Sequence, residues 1–243
     1  MWPLLGQHPD RLGDASVGTD RLWGVSADEQ AGGQQGYFIS FEGGDGAGKS
    51  TQSRLLGLWL EQVTGRSVVW TREPGGTELG LVLRQAVLHG DHVDPRTEAL
   101  LYATDRAHHV ASLVRPALER GDVVITDRYL DSSVAYQAGG RTLPVEEIEQ
   151  LSLWAVEGLL PHATVLLDID PLVGTRRLDT EPDRLERAGD EFHQRTRQAY
   201  LDRAAQDPDR WVVVDASGTV DDIHTTIREA VAQRLGLALP EEV

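Results

Sequence analysis

Five short apolar runs recur along the chain: YFISF (37–41), SVVWT (67–71), DVVIT (122–126), ATVLLDI (163–169) and RWVVVDA (210–216). Between them lie stretches with helical period, around 49–64, 77–88, 96–120, 144–160, 190–206 and 219–235. Apolar runs this short are read as strands buried on both faces, with the intervening helices as cover. The pattern predicts an α/β fold: a five-stranded parallel sheet with helices on both faces. Ligands of such sheets bind beyond the carboxyl ends of the strands, so the residues after each strand are where chemistry is sought.

The first run leads directly into EGGDGAGKST, which satisfies Gly43-x-x-x-x-Gly48-Lys49-Ser50 with a strand before it and a helix after it. Glycines let the backbone curl until its N–H groups point inward, and the following helix N-terminus adds positive potential. Gly43, Gly44, Asp45, Gly46, Ala47, Gly48, Lys49, Ser50 and Thr51 are therefore the candidates for holding a nucleotide's phosphates. Lys49 is expected on the β- and γ-phosphates and the Ser50 hydroxyl on Mg²⁺. The loop alone does not separate a kinase from a GTPase or an ATP-driven machine. No Asn-Lys-x-Asp segment is present to read guanine, and the apolar runs VVITDR and VLLDID do not end in the Asp-Glu of a motor. The first ends in Asp-Arg, which suggests that an anion is held there. The loop also carries an acid, Asp45, and no arginine.

The totals set the surroundings. At 243 residues and 40% hydrophobic content the chain has room for one ordinary α/β domain. A net charge of -16 argues against general binding to nucleic acid or an anionic membrane, so any phosphate site is a local basic cluster in an acidic field. With no cysteine, disulfides and thiolate chemistry are excluded. MWPLLGQHPD lacks a basic leader, and no segment approaches the length of a membrane span, so the chain reads as soluble and cytoplasmic. Residues 1–36, rich in Gly, Asp, Ser and Gln, read as a disordered extension before a domain over 37–238. The charged stretch RRLDTEPDRLERAGD (176–190), broken by Pro182 and Gly189, reads as a mobile excursion.

Acceptor candidates follow the second and third strands. TREPGGT (71–77) forms a tight loop with Arg72 at the strand's end. In DRY (127–129), Asp127 is placed to bind Mg²⁺ directly or through water and Arg128 to clamp a phosphate, although the two side chains can also simply pair with each other. Ser133 and Gln137, four apart in SSVAYQ with Tyr136 beside them, offer a face that can read a base; Tyr102 and Arg106, again four apart, offer a stacking ring and a guanidinium. Core packing and surface ion pairing are the competing readings for both pairs. His108 and His109 read as solvated helix residues.

Together EGGDGAGKSTQ, TREPGGT, LLYATDRAHH, DRYLDSSVAYQAGG and DRLERAGDEFHQRTRQAYL resemble bacterial thymidylate kinase, in that family's order and spacing from about Tyr37 to the last helix. The resemblance implies a P-loop kinase fold with a lid near 176–190, and transfer of the γ-phosphoryl group of MgATP to dTMP, in a homodimer. It implies that Tyr102 stacks on thymine, that Arg106, Ser133 and Gln137 bond its polar edge, and that Tyr136 sits against the deoxyribose. Arg128 would hold the dTMP phosphate with help from Arg72, and Asp45 would approach the 3′-hydroxyl. Some family members carry a catalytic arginine in the phosphate loop and others in the lid. Here the lid segment offers Arg176, Arg177, Arg184 and Arg187, with Arg184 the first choice and Arg177 and Arg187 behind it. The catalytic set expected is Lys49, Arg128 and Arg184. A kinase for another pyrimidine nucleotide or deoxynucleoside, or a nucleotide-binding module that has lost phosphotransfer, stays open at this point.

Overall fold

The computed structural model describes residues 35–178 and 183–238. The expected extension through residue 34, and residues 179–182 of the expected lid, lie outside the described residues. Five strands, β1 (Tyr37–Glu42), β2 (Val68–Arg72), β3 (Val123–Asp127), β4 (Ala163–Asp168) and β5 (Trp211–Asp215), form one parallel sheet in the order β2-β3-β1-β4-β5. β1 is central, with Ile39 paired to Ile125 of β3 on one side and to Ala163 of β4 on the other. From β1 the chain crosses to the edge strand β2, returns to β3 beside β1, and then passes to β4 and β5 on the other side. The loops after β1 and β3 therefore lie side by side at the strands' carboxyl end, where an open α/β sheet leaves a crevice.

The helices are α1 (Lys49–Thr64), α2 (Glu78–His89), α3 (Pro95–His109), α4 (Arg115–Glu119), α5 (Leu130–Ser133), α6 (Val145–Ala155), α7 (Pro171–Thr175), α8 (Asp190–Gln206) and α9 (Val220–Leu235). Alternation along β1 sorts them between the faces. Ile39 and Phe41 pack into one core with Leu56 and Leu60 of α1 and Ile223 and Ile227 of α9. Phe38 packs on the other face with Val114, Ala117 and Leu118 around α4, and α8 covers Leu166 and Trp211 through Tyr200.

The expected helix over 96–120 is present but broken by a π-turn at Val110–Val114, just before Pro116, whose missing N–H a wider turn accommodates. The helix expected over 144–160 stops at Ala155, because Glu157 and Gly158 take left-handed conformations (φ 50° and 70°). A second π segment, Val134–Gly140, continues α5. No helix among the described residues is long and apolar enough to cross a membrane.

Candidate active site

The phosphate loop closes on its own lysine. Lys49, buried at the start of α1, donates from Nζ to the carbonyls of Gly43 (3.2 Å) and Gly44 (2.7 Å). Burial and then the nearby Arg128 press its pKa down, against the pull of Asp127, Asp45 and Glu42, so an incoming polyanion relieves an unfavourable charge. α1 begins at Gly48 in a left-handed conformation (φ 95°) with no side-chain cap, whereas α2, α3 and α9 are capped by Thr77, Asp94 and Thr219. The first amides of α1 are thus left to a ligand.

The loop is braced from outside. A Cβ on Gly46 would strike the carbonyl of Gly174 in α7, and a Cβ on Gly174 would strike the carbonyl of Asp45. Asp170 sets that contact by capping α7 through Leu172 N (2.8 Å). Ala47 turns inward and is buried in the core of the α1 face, so it can serve a ligand only through its backbone.

Of the cavities that border the loop among the described residues, two gather the candidate residues. A cleft of about 460 Å³ is lined by Asp45, Gly46, Gly48, Lys49, Ser50 and Thr51, with Asp127 opposite, and four arginines, Arg72, Arg84, Arg128 and Arg177, also reach it. Ser50 Oγ donates to Asp127 Oδ2 at 3.0 Å, bringing two hard oxygen donors to one point. The pairing of Asp127 with its neighbour Arg128 does not form. Instead Arg128, itself at φ 72°, turns across the sheet's end and donates to Asp45 Oδ1 (2.6 Å), Tyr136 OH (3.1 Å) and Gly43 O (3.1 Å). Burial would raise the Asp45 carboxyl, but Arg128 and Lys49 overcome it and hold the pKa below its ordinary value.

The second cavity, about 130 Å³, is lined by Tyr102, Arg106, Arg128, Ser133, Tyr136 and Gln137 together with Arg84, Leu88 and Ser132. The residues singled out on α3 and after β3 are therefore gathered round one space. Arg106, 1% exposed, is fixed by Glu73 Oε2 at Nε (2.7 Å), by Ser133 Oγ (3.0 Å) and by Tyr129 O (3.1 Å). Burial opposes its charge, but Glu73 more than offsets this and raises its pKa. Arg72 sits exposed at the mouth of the cleft.

One expectation needs correction. His109 is not solvated: it is fully buried, with Nδ1 on Glu73 Oε1 (2.8 Å) and Nε2 on Thr71 Oγ1 (2.6 Å), because the TREPGGT loop folds over α3. His108 is exposed as expected. Arg184 lines neither cavity. Its Nε donates to Val87 O (2.8 Å) and its Nη2 lies 2.7 Å from Glu98 Oε2, while Leu185 buries beside Val87 and Leu88. Of the lid arginines, Arg177 lines the phosphate cleft and donates to Ala216 O (3.1 Å).

Sequence reasoning missed Arg84, which lines both cavities and donates to Pro74 O at 3.0 Å. A signal existed: Arg84 falls four residues after Gly80, and the buried Gly80 follows the Thr77 cap. Glu98 was missed as well, though it precedes Tyr102 and Arg106 at intervals of four.

The family profile described as thymidylate kinase matches residues 41–227. A thymidylate kinase of Leifsonia xyli subsp. xyli is 60% identical over 198 residues, covering 79% of this chain and 93% of the relative. One of Bifidobacterium longum is 56% identical over 203 residues, covering 82% and 98%. The crystal structure of thymidylate kinase from Ehrlichia chaffeensis superposes with a TM-score of 0.68 at 31% identity, covering 81% of this chain and 99% of that one. The chain belongs to the thymidylate kinase family.

Proposed function

We propose that the chain carries out its family's reaction, ATP-dependent phosphorylation of dTMP to dTDP, with ATP's phosphates in the larger cavity and dTMP in the smaller. The observation that carries this reading is Arg128, which lines both cavities and faces the phosphate loop and the base-reading residues at once. An acceptor phosphate held there lies beside the donor phosphates. An oxygen of dTMP's phosphate forms the new bond to the γ-phosphorus while the bond to the β,γ-bridging oxygen breaks. The acceptor is already an anion near neutral pH, so alignment and charge compensation are what the protein supplies.

Ser50 and Asp127 fit Mg²⁺, a cation that takes few protein oxygens and completes its shell with phosphate and water. Among the described residues no group of three His, Cys, Asp or Glu side chains gathers to hold a metal of another kind. When bound, Mg²⁺ would neutralise charge on the donor phosphates. Lys49 exchanges loop carbonyls for phosphate oxygens. Arg128 and Arg72 orient the acceptor phosphate, with Arg84 at the junction, and Asp45 accepts from the 3′-hydroxyl. Tyr136 packs against the deoxyribose, Tyr102 stacks on thymine, and Arg106, Ser133 and Gln137 bond its edge. Arg177 takes the catalytic place in the lid that Arg184 was expected to fill, a reading supported by its position along the cleft.

A cytoplasmic homodimer completes the proposal. It is supported by apolar side chains left exposed on α2 and α3, which pack together: Leu79, Leu81, Val82 and Leu100. The reading is tested by coupled ADP release from MgATP: release that depends on dTMP supports it, and release indifferent to dTMP sinks it.

A further inference from the structure

Behind the acceptor cavity, Glu98 is 0% exposed and faces three side chains that approach it as donors or cations. Gln137 Nε2 donates to its Oε1 at 3.0 Å. Arg141 donates to both oxygens, Nε to Oε1 and Nη2 to Oε2, each at 3.3 Å. Arg184 Nη2 adds an ion pair to Oε2 at 2.7 Å, without hydrogen-bond alignment. A buried carboxylate between two guanidinium groups is an anion, and an anion only accepts. The Gln137 carboxamide therefore has one permitted orientation. Its NH₂ points at Glu98, and its oxygen is left for the cavity that Gln137 lines.

We infer that Glu98, held by Arg141 and Arg184, sets base specificity by locking the Gln137 carboxamide with its oxygen toward the acceptor base. The inference rests on dTMP being the acceptor, as proposed above. Thymine and uracil carry a donor at N3–H, which a fixed carbonyl oxygen accepts. Cytosine carries a lone pair at N3, and two acceptors facing each other leave both without a donor. Arg106 works in the same sense, since a guanidinium only donates and suits the carbonyl oxygen of thymine rather than the amino group of cytosine. Arg106 has this polarity by its chemistry; Gln137 has it because of Glu98. A carboxamide without that anion behind it turns over at little cost and reads either base. Glu98 is thus a positioning residue that acts through Gln137.

The test is Glu98→Gln in the full-length protein, with kcat/KM measured for dTMP, dUMP and dCMP. Gln at position 98 both donates and accepts, so Gln137 is released to turn. The expected result is a dTMP-over-dCMP preference reduced by about tenfold, the equivalent of one hydrogen bond. The dTMP-over-dUMP ratio, between two bases that share N3–H, should stay at the wild-type value. Loss of packing alone would lower all three rates together; an unchanged dTMP-over-dCMP ratio in an active variant overturns the inference. Should Glu98→Gln not fold, the double variant Glu98→Gln/Gln137→Glu keeps one carboxylate in the cluster and an acceptor toward the base. It should reject dCMP as the wild type does, and acceptance of dCMP by the folded double variant would also overturn the inference. A failure of the dTMP reading itself is distinct, because it appears in the wild-type protein as no preference for dTMP.

Discussion

Arg128 donates to Asp45 at 2.6 Å, joining the residue after β3 to the acid of the phosphate loop. Asp45 thereby has a use that its place in a polyanion site did not suggest: it holds the guanidinium at the junction of the two cavities until an acceptor arrives. Replacing Arg128 by Ala removes the clamp on the acceptor phosphate and leaves the Asp45 carboxylate without its partner. The KM for dTMP should rise by about one to two orders of magnitude, the loss of one or two charge-assisted hydrogen bonds. The KM for ATP should change far less; equal losses for the two substrates would count against an acceptor role.

Arg177 lines the phosphate cleft, whereas Arg184 pairs with Glu98 behind the smaller cavity. Arg177→Ala should lower kcat by about 10³-fold or more, as for an arginine that stabilises the transferring group. Arg184→Ala should spare kcat and act on the acceptor side, weakening the hold on Glu98. Steady-state kinetics separates them. A collapse of kcat in Arg184→Ala with dTMP binding intact would show that the lid carries Arg184 to the phosphates.

Gly174 and Gly46 approach so closely that neither tolerates a Cβ without movement. Gly174→Ala should push α7 off the loop at a cost of about 1–3 kcal/mol, typical of overpacking. Thermal unfolding should show a lower Tm, and the KM for ATP should rise more than that for dTMP. A variant with wild-type Tm and KM would mean that the loop is not braced from this side.

How much of this was legible in the chain follows from the range of each interaction. The strands were found to within a residue or two because period and apolarity are local. Lys49, Ser50, Asp127 and Arg128 meet at one cleft because each lies at or after a strand's carboxyl end. Glu73 with Arg106, Glu98 with Gln137 and Glu98 with Arg184 are separated by 33, 39 and 86 residues, the last read from positions 98 and 184, and no local pattern encodes them. His109 was misread for that reason: its partner Glu73 comes from a loop 36 residues earlier. DRLE specifies a turn with an arginine but not which wall it meets, and Arg184 meets Glu98 of α3.

Glu42, the last residue of β1, supports Arg128 from below. Its carboxylate accepts from Tyr129 N (2.8 Å), Ser132 Oγ (2.6 Å) and Tyr200 OH (2.9 Å), and Arg128 donates to Ser132 and Tyr200 in turn. Burial first, then Asp131, raises the Glu42 pKa from 4.5 to about 7, against the opposing effects of Ser132, Arg128 and Tyr200. A carboxyl that holds its proton more tightly when folded binds more protons in the native state between these two values. Its contribution to stability is therefore greatest below 4.5 and declines as pH rises toward 7. Glu42→Gln should remove that decline, making urea midpoints less pH-dependent between about pH 5 and 7. An unchanged slope would assign the titration to another group.

The acceptor's identity is the most direct test of the proposed reaction. Coupled ADP release with MgATP should be measured across dTMP, dUMP, dCMP and thymidine at matched concentrations. The highest kcat/KM is expected for dTMP, with thymidine inactive because it lacks the phosphate that Arg128 would hold. A rate for dTMP no greater than those for dUMP, dCMP and thymidine would contradict it.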